Sequence, residues 1–205
     1  SKDEDSVLTG ENNVETNMAF ADKTFNDISD LAMMSLESGK TGYKSLQTSN
    51  MLSSDCMTVT FDLTSNPYKM ILDFGSTNCL CEDGANRRGK IIVSYTIATG
   101  DSVASLILTL DNYFVNDNQV LGTRTVTYKG QNQAGHSNWD ASVDGSIILA
   151  NGGGTIIYQS EHNTEILEGE NTPDYSDNVF SITGSANGTA VDGQTFTAVI
   201  TSALV

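Results

Sequence analysis

Apolar and polar residues alternate from Met57 to Leu63, with Met57, Val59, Phe61 and Leu63 set against Thr58, Thr60, Asp62 and Thr64. The alternation resumes at Ile91, Val93, Tyr95 and Ile97, interleaved with Ser94 and Thr96. A two-residue period marks strands with one face buried and one in water, the pattern of an antiparallel sheet. The expected fold is therefore all-β: mainly an antiparallel meander, arranged as a curved sheet, a sandwich or an open barrel, with one short N-terminal helix.

Strands are expected at about 56–64, 68–75, 89–99, 103–115, 119–130, 138–149, 153–165, 178–188 and 193–203. Short Gly, Asn and Asp turns separate them, notably Asn116-Asp117-Asn118, Asn151-Gly152-Gly153-Gly154 and Asp192-Gly193. Links this short favour antiparallel neighbours. Residues 22–37 break the pattern, because Phe25, Ile28, Leu31, Ala32 and Leu36 recur at helical spacing; Gly39 suits the C-terminal end of that helix. The polar stretch 1–17 offers few apolar side chains and reads as a flexible tether, leaving 18–205 as a single β-rich domain. Its 18 Gly and only two Pro, Pro67 and Pro173, suit long strands and frequent turns.

The chain carries 26 acidic residues against 10 basic ones, and no Lys or Arg follows Lys129. Such a balance repels phosphate backbones and excludes nucleic acid as the expected partner. It equally disfavours electrostatic adhesion to an anionic membrane. No apolar run approaches the roughly 18 residues of a bilayer-spanning helix.

Of the three cysteines, Cys56 opens the first hairpin and Cys79 and Cys81 follow its return. If Thr64 faces Tyr68, Cys56 lies opposite Ser76, close to both later cysteines. One disulfide from Cys56 to Cys79 or to Cys81 is expected. A Cys-x-Cys pair with only two His in the chain makes a poor zinc site, and no metal or other cofactor is expected.

Residue patterns for catalysis are sparse. No Gly-x-Ser-x-Gly elbow occurs, His136 and His162 sit in polar surroundings that read as surface, and the Gly152–Gly154 run lacks the ending of a phosphate-binding loop. Glu161, Glu165, Glu168, Glu170, Asp174 and Asp177 crowd one stretch, and two carboxylates about 5 to 10 Å apart are what a glycosidase requires. Asp111 to Asn118 offers oxygen ligands without the spacing of a calcium loop, and reads as a strand ending in a turn. Arg87, Arg88 and Lys90 form the densest basic point; they suit capture of a carboxylate or, more plainly, pairing with Glu82, Asp83 or Asp73. Trp139, the only Trp, forms a small sugar platform if joined by Tyr128 or Tyr158. Arg87, Arg88 and Trp139 are thus the candidate ligand contacts.

Several strings resemble a group of uncharacterised secreted or surface lipoproteins of Bacteroidota: Leu72-Asp73-Phe74-Gly75, Asn78-Cys79-Leu80-Cys81, Asp83-Gly84, Arg87-Arg88-Gly89-Lys90-Ile91-Ile92-Val93, Asp111-Asn112-Tyr113-Phe114-Val115-Asn116 and Phe180-Ser181-Ile182-Thr183-Gly184-Ser185-Ala186. The resemblance implies export and a β-rich build, assigns no catalytic residue, and implies a further strand or two beyond Val205. It also makes Ser1-Lys2-Asp3-Glu4-Asp5 similar to the acidic address that follows a lipid-bearing Cys. The implied location is the outer face of the outer membrane, held by an N-terminal lipid, with the periplasmic face as the alternative. The expected function is a non-enzymatic binding or interaction module for a surface ligand, glycan or protein. A glycan hydrolase using carboxylates of residues 161–177 is the alternative.

Overall fold

The computed structural model describes residues 11–41, 56–97, 103–169 and 178–204. One helix, α1 (Glu11–Thr41), is followed by ten strands: β1 (Thr58–Asp62), β2 (Tyr68–Asp73), β3 (Cys79–Leu80), β4 (Asn86–Ile97), β5 (Val103–Val115), β6 (Asn118–Gln131), β7 (Ser137–Ile148), β8 (Thr155–Glu168), β9 (Val179–Thr189) and β10 (Thr195–Leu204). All join one antiparallel sheet in the order β1-β2-β4-β5-β6-β7-β8-β9-β10, with the two-residue β3 paired to β4. The meander is as expected, and it forms a curved open sheet.

The curvature follows from what α1 touches. Near its start, Asn17 accepts a hydrogen bond from the backbone of Val191, between β9 and β10. Fourteen residues later, Leu31 faces a small cavity shared with Met57 and Phe74, beside β1 and β2. That length of helix rises about 21 Å, whereas the seven steps from β2 to β10 would cover about 34 Å in a flat sheet. The sheet must wrap the helix to meet both its ends.

Four residues of the predicted apolar stripe, Phe25, Ile28, Ala32 and Leu36, are buried together with Ala21, while Leu31 is only partly buried; they lie against Met70, Leu72, Ile91, Val93, Leu106, Leu108, Val143, Ile147, Ile156 and Tyr158. Each large side chain so buried contributes on the order of 1.5–3 kcal/mol. The helix is longer than the predicted 22–37. Residues 11–17, read from sequence as tether, are helical, and Asn17 is itself buried. Gly39 lies within α1 rather than at its end, since one glycine costs a helix only about 1 kcal/mol. Residues 1–10 lie outside the described residues.

One glycine, Gly145, lets the helix approach, and it lies in a row with two others. Gly122 pairs with Gly145 across β6 and β7, and Tyr158 of β8 pairs with both Gly145 and Gly188. On this row the Phe25 ring rests against Gly145, where an added Cβ would come within 2.3 Å of the ring. Phe25 also stacks on Tyr158, with ring centroids 5.9 Å apart. Polar bonds run along one flank of the helix: the Tyr158 hydroxyl donates to Asp22 at 2.7 Å, and Arg124 donates to Asn26 at 2.8 Å.

The first hairpin is shifted by one residue from the expected register, pairing Asp62 with Lys69 rather than Thr64 with Tyr68. The shift sets Phe61 opposite Met70 and Val59 opposite Leu72, so apolar residues share a face. At the β5–β6 turn, Asn116 and Asp117 take φ of 48° and 63°, as a two-residue hairpin loop requires.

The substitution Gly145→Ala is expected to destabilise the fold by about 1–3 kcal/mol through overpacking. Urea unfolding measures it, and the double variant with Phe25→Leu should recover part of the loss. An unchanged midpoint would contradict the proposed seating of Phe25.

Candidate functional site

A cleft of about 260 Å³ lies between α1 and the loop joining β3 to β4. The helix contributes Phe20, Lys23, Thr24, Asp27 and Ile28; the loop and β4 contribute Asp83, Gly84, Ala85 and Arg87; and the β5–β6 hairpin closes it with Tyr113, Val115, Asn116 and Asn118. The wall is built by local turns. Cys81 N donates to Ala85 O and Gly84 N to Cys81 O, so the chain folds back and delivers Arg87 to the interior. Asn116 Oδ1 accepts from Asn86 N, and Asn118 Oδ1 accepts from Ala150 N, which fixes both amide side chains.

Arg87 is the centre of this wall, with only 3% of its surface exposed. Its two terminal nitrogens donate to the two Asp83 carboxylate oxygens at 2.7 and 2.6 Å, and Nε donates to the Tyr113 hydroxyl at 3.2 Å. Burial opposes the guanidinium charge, yet the bonds to Asp83 and the neighbouring Tyr113 and Cys81 together offset it, and the pKa of Arg87 rises. Burial pushes the Tyr113 hydroxyl up to about 12. Lys23 is paired with Asp27 at 2.6 Å on the helix side. Both cations among the described lining residues are therefore paired with carboxylates, and the other polar groups of the lining are the Thr24 and Tyr113 hydroxyls and the Asn116 and Asn118 amides.

The other candidates are placed as follows. Lys90 pairs with Asp73 at 2.8 Å, as expected. Arg88 binds none of its three expected partners; it reaches across the hairpin to Asp117 at 2.6 Å, also meets Asn78, and lies 3.7 Å over the Phe114 ring. Trp139 packs against Tyr128, centroids 5.4 Å apart, away from the cleft. Tyr158, the other aromatic considered for it, is buried under Phe25. Cys56 is bonded to Cys79, with Cα atoms 5.5 Å apart, and Cys81 is free.

His136 Nδ1 lies 2.6 Å from Glu165 Oε1, which also accepts from Asn132. These bonds hold Glu165 below the usual carboxylate range, the direction of a structural ion pair rather than of a catalytic acid. Burial lowers the His162 pKa. Glu170, Asp174 and Asp177 lie outside the described residues. Among the described residues no group of three His, Cys, Asp or Glu side chains is placed to hold a metal, and no helix is long and apolar enough to cross a membrane.

Sequence reasoning singled out Arg87 but missed the helix residues of the cleft. Lys23 and Asp27 carry only the signal of an i,i+4 ion pair, and nothing local connects them to a loop some 60 positions away. No protein-family model, curated protein or solved structure matches the chain.

Replacing Arg87 with Ala should cost about 2–3 kcal/mol, because it orphans the buried Tyr113 hydroxyl and removes a packed side chain. Asp83→Asn removes the counter-charge of an arginine that is almost fully buried and should cost about 3 kcal/mol or more. Chemical denaturation of both variants measures the two losses. A loss under about 1 kcal/mol for Asp83→Asn would mean that the wall does not depend on the ion pair.

Acid should also weaken the fold. Side-chain and backbone bonds from Thr64 hold Asp62 down to about 2, and bonds from Lys90, Arg87, Asn78 and Asn163 lower Asp73, Asp83, Asp117 and Asp140. A carboxyl depressed in the folded state lends stability above its unfolded pKa, about 3.9 for Asp. That stability is lost as pH falls through the folded value. The unfolding midpoint should drop progressively below about pH 4, and a midpoint independent of pH between 4 and 2 would contradict these assignments.

Proposed function

We propose that this protein is a non-enzymatic binding module that takes a neutral polar ligand, such as a sugar unit of a glycan, into the cleft between α1 and the β3–β4 loop. The observation that carries this reading is the charge balance of the cleft: among the described residues, Lys23 with Asp27 and Arg87 with Asp83 leave no free cation lining it for an acidic ligand. The Asp27 and Asp83 carboxylates, the Asn116 amide nitrogen and the apolar side of Phe20 also line it. Hydroxyl groups of a saccharide suit such a lining, with the carboxylates accepting and the Asn116 amide nitrogen donating. The volume lies just under the roughly 300 Å³ where drug-sized pockets begin, which suits one ring rather than a chain.

The Cys56–Cys79 bond supports an oxidising compartment, and the acidic surface supports solubility there. With the likeness of the sequence to Bacteroidota lipoproteins, these support display on the outer face of the outer membrane through an N-terminal lipid.

Isothermal titration against a neutral β-glucan oligosaccharide, a manno-oligosaccharide and a uronic-acid oligosaccharide tests the binding. The neutral sugars should bind, the uronic acid should not, and Asp27→Ala should weaken binding about tenfold, the equivalent of about 1.4 kcal/mol. Release of reducing ends that Glu165→Gln abolishes would instead establish a hydrolase. Location is read by treating intact cells with protease: the domain should be cleaved, and survival until the outer membrane is broken would place it in the periplasm.

A further inference from the structure

The three cysteines meet at one corner of the sheet. Cys56 stands just before β1, Cys79 opens β3, and Cys81 follows two residues later. Two residues apart in extended chain, Cys79 and Cys81 point to the same side, while Leu80 between them points to solvent with 64% of its surface exposed. Cys56 Sγ is bonded to Cys79 yet lies 3.3 Å from the carbonyl oxygen of Leu80, the peptide group that leads into Cys81. Cys81 Sγ leans back toward Cys79, 3.8 Å from its carbonyl oxygen, and is half-buried against Arg87 and Phe74. The bonded sulfur of Cys56 thus sits beside the backbone between its present partner and an unbonded thiol.

We propose that Cys81 is a second partner for Cys56, so that the Cys56–Cys79 disulfide exchanges within the molecule with a Cys56–Cys81 disulfide. In the step, the Cys81 thiolate attacks Cys56 Sγ. A Cys81–Cys56 bond forms, the Cys56–Cys79 bond breaks, and its electron pair leaves on Cys79 Sγ, which takes up the proton given up by Cys81. One disulfide and one thiol stand on each side, so no oxidant or reductant is consumed. The span is short: Cys56 and Cys79 are bonded over a Cα separation of 5.5 Å, within the roughly 4.4–6.8 Å that disulfides take, and Cys81 stands two residues along the chain from that partner, on the same side of it.

Exchange moves the Cys81 sulfur from its place against Arg87. Arg87 forms the wall of the cleft proposed above as the ligand site, so on that reading the two disulfide isomers present different walls to the ligand. The exchange itself does not depend on that reading.

The experiment is differential alkylation of the folded full chain at pH 7 and pH 9, without reductant, with the labelled thiol located by tandem fragmentation because Cys79 and Cys81 share one tryptic peptide. Label should appear on Cys81 and also on Cys79, with the Cys79 share approached faster at pH 9, where more thiol is ionised. Label on Cys81 alone at both values overturns the proposal. Cys79→Ser gives an independent reading: with a native circular dichroism spectrum, it should form Cys56–Cys81 and take up no label. Two alkylated thiols in that folded variant overturn the proposal, and if the variant fails to fold the wild-type labelling decides. Cys81→Ser should keep the Cys56–Cys79 bond and take up no label.

Discussion

Everything in this molecule is arranged around the seating of Phe25 on Gly145. An alternating sheet has one apolar face, and in a single-layer meander that face needs a cover. Helix α1 supplies it, but only because the sheet lacks side chains where the ring lands. Gly122 and Gly145 face each other there, with Tyr158 and Gly188 continuing the row. The Ala21, Ile28, Ala32 and Leu36 stripe is buried along with this contact, and the cleft lies between the same helix and the β3–β4 loop.

The flank of the helix is polar where its centre is apolar. Asp22, Asn26 and Asn17 bond to Tyr158, Arg124 and Val191 respectively. The Nε of Arg124 is buried there without a hydrogen-bond partner in the structure, and burial lowers the pKa of that arginine. Directional bonds of this kind add little net stability, about 1 kcal/mol each. What they add is register, since a helix sliding by one turn would leave each of these groups unpaired in a poorly solvated seam.

Much of this was legible in the sequence. A strand face reports itself every second residue, so β4, β5 and the strands after them fell close to their expected positions. The stripe from Phe25 to Leu36 reported its helix for the same reason. The first turns of α1 were not legible, because Asn17 and its polar neighbours carry no apolar period and are held by a loop 174 positions away. The cleft was half legible: Asp83 and Arg87 are four residues apart and announce their pairing, but Lys23 and Asp27 join them only through the docking of α1. Glycines 122, 145 and 188 were visible as glycines, and their shared row exists only once the strands are aligned.

The two ends of α1's partnership are made by very different stretches of chain. Each strand of the meander finds its neighbour within one turn, so the sheet grows by local steps. The helix, by contrast, precedes the whole sheet in sequence yet bonds at Asn17 to the turn between the last two strands. During synthesis it emerges before the sheet and docks last. Until the final hairpin closes, the stripe carrying Phe25 and Ile28 stays without its full partner, which makes the N-terminal helix the stretch on which a holding chaperone has the longest time to act.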